Sequence, residues 1–160
     1  MNKDQMIAIL NEDLKNEWKH LRFYLYHASA VTGPFAEEYK EVFLKEAAGE
    51  MAHVTEFSDL IVGLGGVATK DSNDFETLSD PYDVISYALK MEEEVVANYV
   101  KRMKDADSLG GVDGQWIEIF MENQIQKSRE DVDRYRQILK GWYKTLRGYL
   151  PGDQVPGEKI

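Results

Sequence analysis

The sequence predicts an all-α protein, an up-down-down-up four-helix bundle with one long crossover between the second and third helices. Two observations predict this fold. Four long segments are rich in Glu, Lys, Leu and Ala, and their apolar residues recur every three or four positions without strand-like alternation. The 12 glycines and 4 prolines fall mainly between these segments, where helices end. We therefore expect one helical domain over residues 1–150 and a Pro/Gly-rich tail over residues 151–160.

The first two helices are predicted to be antiparallel neighbours, because only a short turn separates them. The first runs from about Asp4 to Val31. The second begins at Pro34, a first-turn proline after Gly33, and ends near Val62. Glycines at positions 63, 65 and 66 supply the left-handed conformations that stop it.

The third helix follows a crossover over residues 64–79, which is long enough to run the length of the bundle. Asp80 and Pro81 are typical of an N-cap and a first turn, so the third helix starts there and ends near Asp107. A glycine pair at positions 110 and 111 then breaks the chain. The fourth helix is predicted over residues 115–149, with the aspartate at position 113 as its cap.

The composition excludes several classes of function. The net charge is −10, from 29 acidic and 19 basic residues, which argues against nucleic-acid binding and favours cations as partners. The absence of cysteine excludes disulfide scaffolds, thiolate zinc sites, iron–sulfur clusters and cysteine nucleophiles. No stretch reaches the roughly 18 apolar residues of a membrane span, and MNKDQMIAILNEDLK lacks the apolar run of a signal peptide. We expect a soluble, cytoplasmic protein with no nucleic-acid or membrane partner.

Three predicted helices each carry one glutamate in the middle of an apolar stripe. These are Glu17 on the first helix, Glu50 on the second and Glu92 on the third, and His53 follows Glu50 by one turn. Buried carboxylates repel each other, so they require protons, cationic side chains or metal. Carboxylates together with imidazole suit iron, manganese or zinc. The pattern favours a metal centre at mid-bundle, and the alternative is a metal-free scaffold with a salt-bridged polar core.

The chain resembles the ferritin and bacterioferritin superfamily over the first three helices, and less closely over the fourth. The segments that carry the resemblance are MIAILNEDLKNEWKHLRFYLYHA, FLKEAAGEMAHVTEF and KMEEEVVANYV. The resemblance implies a ferritin-like bundle in which Glu17 binds metal, Glu50 bridges two metals and His53 binds one of them. It also implies that Tyr24 lies beside the site and forms a hydrogen bond with it.

On the third helix, Glu92 fits the resemblance best because it lies on the apolar stripe, and Glu93 and Glu94 are near alternatives. On the fourth helix, bacterioferritins carry a second Glu-x-x-His. This chain has Gln126-x-x-Arg129 there instead. The guanidinium of Arg129 could supply positive charge against Glu92 and replace one metal.

The fourth helix nevertheless offers acidic residues as metal ligands. Asp131 fits the depth set by the other glutamates, as does its neighbour Glu130, whereas Glu122 lies about two turns into the helix. His20 follows Glu17 by three positions, but ferritins do not use that position, so we expect His20 either on a helix flank or beside the metal ligands without binding the metal, and His27 on a helix flank.

The resemblance implies one or two iron ions, with manganese or zinc as alternatives, and ferroxidase-type oxidation of ferrous iron by dioxygen or peroxide. Iron storage or detoxification would follow from it. The alternative activity is that of another di-metal oxidoreductase, such as a rubrerythrin-like peroxidase. We do not expect haem: bacterioferritins bind it through a methionine at the position of Met51, but the same string occurs in haem-free ferritins. Long helices with aromatic flanks, at Phe23, Tyr26 and Tyr39, predict a homo-oligomer, a dimer or larger.

Overall fold

The computed structural model describes residues 1–146, and their side chains as far as Trp142. Within these residues it contains four helices and no strand: α1 (Lys3–Ala30), α2 (Ala36–Gly63), α3 (Pro81–Leu109) and α4 (Gly111–Leu146). The predicted all-α fold is confirmed. The predicted end of the fourth helix at residue 149 and the tail 151–160 lie outside the described residues. Over residues 1–146, no helix is long and apolar enough to cross a membrane.

Local signals in the sequence explain where the helices begin. Asn2 caps α1, because its side chain accepts a hydrogen bond from the Gln5 backbone while the Gln5 side chain accepts one from Asn2. Asp80 caps α3 and Pro81 occupies its first turn, as predicted. The start predicted for the second helix is wrong, because Pro34 lies in the turn and α2 begins two residues later.

The fourth helix starts four residues earlier than predicted. Gly110 and Gly111 have φ angles of +70° and +66°, a region that other residues rarely adopt. The chain therefore reverses direction between α3 and α4 within these two residues. Asp113 lies in the first turn of α4 instead of capping it, and its charge is favourable at that end of the helix.

The crossover determines the order of the helices. It runs along α1, where the Thr69 carbonyl accepts a hydrogen bond from the Trp18 indole and the Leu78 amide donates to Nε2 of His27. The crossover thus returns the chain to the end of the bundle where α1 finishes, and α3 starts there. Helices α2 and α3 both run opposite to α1, and α4 runs with it, which is the predicted up-down-down-up order.

The core consists of two apolar clusters separated by a polar layer. The first cluster lies toward the N-terminal end of α1 and includes Leu10, Leu14, Phe57, Ile61, Tyr99 and Met121. The second lies toward the other end and includes Phe23, Tyr24, Phe43, Ile85, Met91 and Tyr135. The polar layer consists of Glu17, His20, Glu50, His53 and Glu92, each at most 8% exposed. Ionisable groups are thus concentrated at mid-bundle, where water is excluded from both sides.

Candidate metal centre

Helix periodicity builds the polar layer from three helices. Glu17 and His20 lie one turn apart on α1, and Glu50 and His53 lie one turn apart on α2. Residues three apart share a helix face, so each helix presents a carboxylate and an imidazole together. Glu92 on α3 completes the layer. The three glutamates predicted from the apolar stripes therefore meet at one depth.

The first ligand group is Glu17, Glu50 and His53. Nδ1 of His53 lies 3.0 Å from Oε2 of Glu50 and 3.5 Å from Oε2 of Glu17. One ligand atom from each of the three side chains falls within 4.8 Å of the others, so a single cation can contact all three. Two carboxylates and an imidazole are a donor set that iron, manganese and zinc accept.

The second ligand group is His20, Glu50 and Glu92. Nδ1 of His20 lies 3.2 Å from Oε1 of Glu92 and 3.7 Å from Oε1 of Glu50. These three side chains also offer atoms within 4.8 Å of one another. Of the three adjacent acids on α3, only Glu92 is buried, while Glu93 and Glu94 are exposed. Glu50 belongs to both groups and uses a different oxygen in each.

The carboxylates of the layer control the protonation of the two histidines. Burial alone would lower the pKa of His20, but Glu92 and Glu50 outweigh burial and raise it to about 10. Burial likewise opposes the charged form of His53, whose pKa Glu17 and Glu50 raise to about 11. Protons on these two imidazoles offset the charge of two carboxylates when no metal is bound. A metal that uses the same nitrogens must displace the protons, so its binding releases them.

The two carboxylates of the second group differ in their acidity. Burial raises the pKa of Glu50, but contacts with His20 and His53 more than compensate and lower it to about 2. Burial raises the pKa of Glu92 to about 7, against the opposing effect of His20. Glu50 is therefore the permanent anion at the centre of the layer, and Glu92 is the carboxylate that holds a proton more readily.

Buried tyrosines hold two of the carboxylates in place. The Tyr99 hydroxyl donates to Oε1 of Glu17. The Tyr24 hydroxyl lies 3.4 Å from Oε1 of Glu92 and 2.6 Å from the Tyr135 hydroxyl. Burial and the nearby negative charge raise the pKa of Tyr24 and Tyr99 well above 10, so both hydroxyls remain donors. Tyr24 thus lies beside the polar layer, where the family resemblance puts a tyrosine.

Helix α4 contributes no member to either ligand group among the described residues. Asp131 lies nearby, but its carboxylate pairs with Arg134 at 2.8 Å. Burial and the adjacent Glu46 raise the pKa of Asp131 to about 6, against the effect of Arg134. Glu122 is exposed and lies outside both groups. The buried positions of α4 between Met121 and Tyr135 are Gln124, Ser128 and Val132.

The structure corrects three expectations about basic residues. Arg129 is exposed and pairs with Asp133 at 3.1 Å, so the expectation that it faces Glu92 is wrong. The cation that faces Glu92 is His20, which is buried and not on a helix flank. His27 is also buried, and its Nε2 accepts a hydrogen bond from the Leu78 amide of the crossover. The sequence contained a signal for His20, since Glu17-x-x-His20 repeats the spacing of the Glu-x-x-His on α2.

A family model described as "Ferritin-like domain" matches residues 7–142, and the chain belongs to this family. The match covers α2 and α3 in full and most of α1 and α4, and it includes every residue of the polar layer. No curated protein matches the chain.

Solved structures share this fold. A ferritin-like diiron-carboxylate protein from Bacillus anthracis str. Ames is 25% identical, with a TM-score of 0.78, and the alignment covers 86% of this chain and 96% of that one. A dodecameric thioferritin from Bacteroides fragilis, a bacterioferritin-related protein, is 17% identical over 94% of both chains, with a TM-score of 0.79. A DPS protein from Vibrio cholerae O1 is 12% identical over 86% of this chain and 90% of that one, with a TM-score of 0.78. The protein therefore has a ferritin-like diiron-carboxylate fold with a candidate carboxylate–histidine metal centre.

Proposed function

We propose that this protein takes up ferrous iron at Glu17, Glu50, His53 and Glu92 and oxidises it with dioxygen or peroxide, in iron storage or detoxification. The observation that carries the proposal is the position of Glu50. Its Oε2 lies 3.0 Å from Nδ1 of His53 and its Oε1 lies 3.7 Å from Nδ1 of His20, so it faces two clusters of metal-binding atoms. A carboxylate in that position is suited to bridge two ions. Iron supplies the electrons of the reaction when it is bound.

The residues of the chain have separate roles in this proposal. The carboxylates stabilise ferric iron more than ferrous iron, because they offset its extra positive charge. The hydroxyls of Tyr99 and Tyr24 hold Glu17 and Glu92 in orientation by donating hydrogen bonds to them. The apolar clusters on both sides exclude water, which strengthens the attraction between the carboxylates and a cation.

The test is ferrous oxidation by the purified protein. The chain is loaded with ferrous iron under anaerobic conditions, and formation of ferric iron is followed after addition of dioxygen or of peroxide. We expect oxidation well above the rate in buffer for the parent, and loss of that excess in Glu50→Gln. Glu93→Gln is the matched control, since Glu93 is an exposed acid next to the layer, and it should behave like the parent.

Two results would contradict the proposal: a parent that oxidises iron no faster than buffer, or a Glu50→Gln variant that retains the parental rate. The fate of the iron separates the candidate activities. Net accumulation of ferric iron with either oxidant supports iron storage or detoxification, whereas consumption of peroxide at the expense of an added reductant, without accumulation of ferric iron, supports the rubrerythrin-like alternative.

We also propose that the protein is a homo-oligomer that associates through the outer face of α1 and α2. Leu44 and Met51 lie at i and i+7 on α2, and Leu25 lies on α1; all three are about half exposed. The aromatic residues expected to form such a face are only partly available, because Phe23 is buried and Tyr39 is half-buried. Light scattering should show a dimer or larger for the parent and a smaller species for Leu44→Glu. Val112→Glu, an exposed site on α4, is the control.

A further inference from the structure

His20 belongs to the second ligand group but has no role in the function proposed above. Its side chain is fully buried at mid-bundle, 1% exposed, with Nδ1 directed at Glu92 and Glu50. Its other ring nitrogen, Nε2, is buried and has no hydrogen-bond partner among the described residues. Buried polar atoms without a partner are rare in folded proteins, so the burial of this ring is costly and Nδ1 is the atom that can bind a ligand.

The geometry of His20 matches that of His53. Each histidine follows a glutamate of the layer by three residues, and each directs Nδ1 at two carboxylates, over 3.0–3.5 Å for His53 and 3.2–3.7 Å for His20. Nitrogen and oxygen ligands bind transition metals at about 2.0–2.2 Å, so two ligands of one ion lie roughly 3–4 Å apart. The separations around His20 are those of side chains arranged about a shared cation.

A resident imidazolium ion is the competing explanation for His20. An imidazolium has two N–H donors, and both need acceptors when the ring is buried. Among the described residues, only Nδ1 of His20 has acceptors, in Glu92 and Glu50. Protonation therefore leaves one buried donor unpaired on a charged ring. A metal at Nδ1 leaves the same N–H at Nε2, but on an uncharged ring, where an unpaired donor costs less to bury.

The fourth helix offers no substitute for this ligand among the described residues. Its buried positions near the layer are occupied by an amide, a hydroxyl and a valine, and the carboxylate of Asp131 is engaged by Arg134. Any nitrogen ligand for a second ion at the Glu50–Glu92 side must therefore come from another helix. Helix α1 places His20 there.

We propose that His20, on the first helix, is a metal ligand and completes a second metal position with Glu50 and Glu92. The first position is then Glu17, Glu50 and His53, and all ligands of both positions come from α1, α2 and α3. This inference rests on the proposed function, because it concerns the same centre, but it assigns a ligand that the function itself does not require.

The test is metal stoichiometry, measured with cobalt(II) alone by equilibrium dialysis and elemental analysis of the full chain. We expect two ions per chain for the parent and one for His20→Gln. His27→Gln is the matched control, since it removes another buried histidine of α1, and it should retain two. Asp131→Asn should also retain two, because Asp131 is not a ligand in this assignment.

A second pair of variants keeps the test decisive should His20→Gln not fold. Glu92→Gln removes another ligand of the second position and should also lose one ion, whereas Glu93→Gln should lose none. Two ions retained in folded His20→Gln, loss of one ion in Asp131→Asn, or a parent that binds only one ion would overturn the assignment. A parent that binds no cobalt(II) would instead refute the proposed metal centre itself, together with this inference.

Discussion

The apolar clusters and the polar layer of this bundle are built by the same helices but have opposite energetic roles. In the first cluster, Phe57 packs against Phe120 and Tyr99 with ring centroids 4.9 Å and 5.7 Å apart. Such burial stabilises the fold whether or not a ligand is present. The polar layer places three carboxylates and two imidazoles at the same level of burial, at a cost in desolvation. The clusters therefore maintain the fold, whereas the layer is stable only where bound protons or a cation offset its carboxylates.

Removing a side chain from an apolar cluster should change the free energy of unfolding more than any other substitution considered below. Phe57→Ala should lower the free energy of unfolding by about 3–5 kcal/mol, because it removes a fully buried ring. Urea unfolding in the presence of chelator measures this change. Val62→Ala, at an exposed site on the same helix, is the control and should stay within about 0.5 kcal/mol of the parent. The folded Phe57→Ala protein should still bind metal, and loss of metal from it would show that the two regions are not separable.

The next prediction concerns the gain in stability that metal binding at the polar layer should give. At a metal concentration a hundredfold above the dissociation constant, the parent should gain about 2.7 kcal/mol of stability. Glu50→Ala should gain almost none, because Glu50 belongs to both ligand groups. Parallel urea melts with chelator and with anaerobic ferrous or manganous ion measure both values. Near-stoichiometric iron retained in Glu50→Ala would contradict the assignment.

A smaller change in stability tests how much the hydrogen bonds within the polar layer stabilise it without metal. Glu17 accepts a hydrogen bond from Tyr99 and lies 3.5 Å from Nδ1 of His53. In the presence of chelator, Glu17→Leu should therefore lower the free energy of unfolding by about 1–3 kcal/mol, because it leaves the buried Tyr99 hydroxyl without an acceptor. Adding Tyr99→Phe should recover part of that loss. An equal loss in the single and double variants would show that the Tyr99 hydroxyl does not depend on Glu17.

The sequence predicts those members of the polar layer that lie on the apolar stripe of their own helix. Glu17, Glu50 and Glu92 each fall on an apolar stripe of their helix, so periodicity alone brings them to the core. His20 and His53 both follow a glutamate by three residues, which places each about 60° from the stripe, at its edge. The family resemblance assigns His53 to the metal but gives no such role to His20. Whether such a residue faces the core or the flank depends on where the neighbouring helix packs. In this bundle the neighbour is α3, whose Glu92 lies 3.2 Å from His20.

The fourth helix was harder to predict for a related reason. Its start was placed four residues too late, and its inward face has no carboxylate or imidazole among the described residues to mark the register. Gln126 and Arg129 stand where the family resemblance suggests ligands, yet both side chains are exposed. The spacing of Ser128, Val132 and Tyr135 predicts the inward face of this helix, and all three are buried, but none of them is an acid or a histidine.

The smallest expected effect concerns His27, a buried histidine outside the layer. Its Nδ1–H donates to the Phe23 carbonyl at 2.8 Å, and its Nε2 accepts from the Leu78 amide at 3.0 Å, which requires a neutral ring. Burial lowers the pKa of His27 below the ordinary value of 6.5, against the opposing effect of the Phe23 carbonyl. Because the unfolded chain takes up the proton more readily, this contact contributes fully above pH 6.5. Its contribution is lost as the pH falls from there through the lowered pKa.

The loss should be about 0.5–1.5 kcal/mol, the net value of one such hydrogen bond. It should appear as a roughly two- to tenfold lower hydrogen-exchange protection factor for the Leu78 amide at pH 5 than at pH 7.5. The Thr69 amide, which donates to Oδ1 of Asn11 at 2.8 Å, anchors the same crossover without a histidine and serves as the internal control. Equal changes at both amides would mean that acid loosens the whole crossover and not the His27 contact. A selective change at Leu78 would show that a neutral imidazole holds this end of the crossover, in contrast to the polar layer, whose carboxylates raise the pKa of its two histidines.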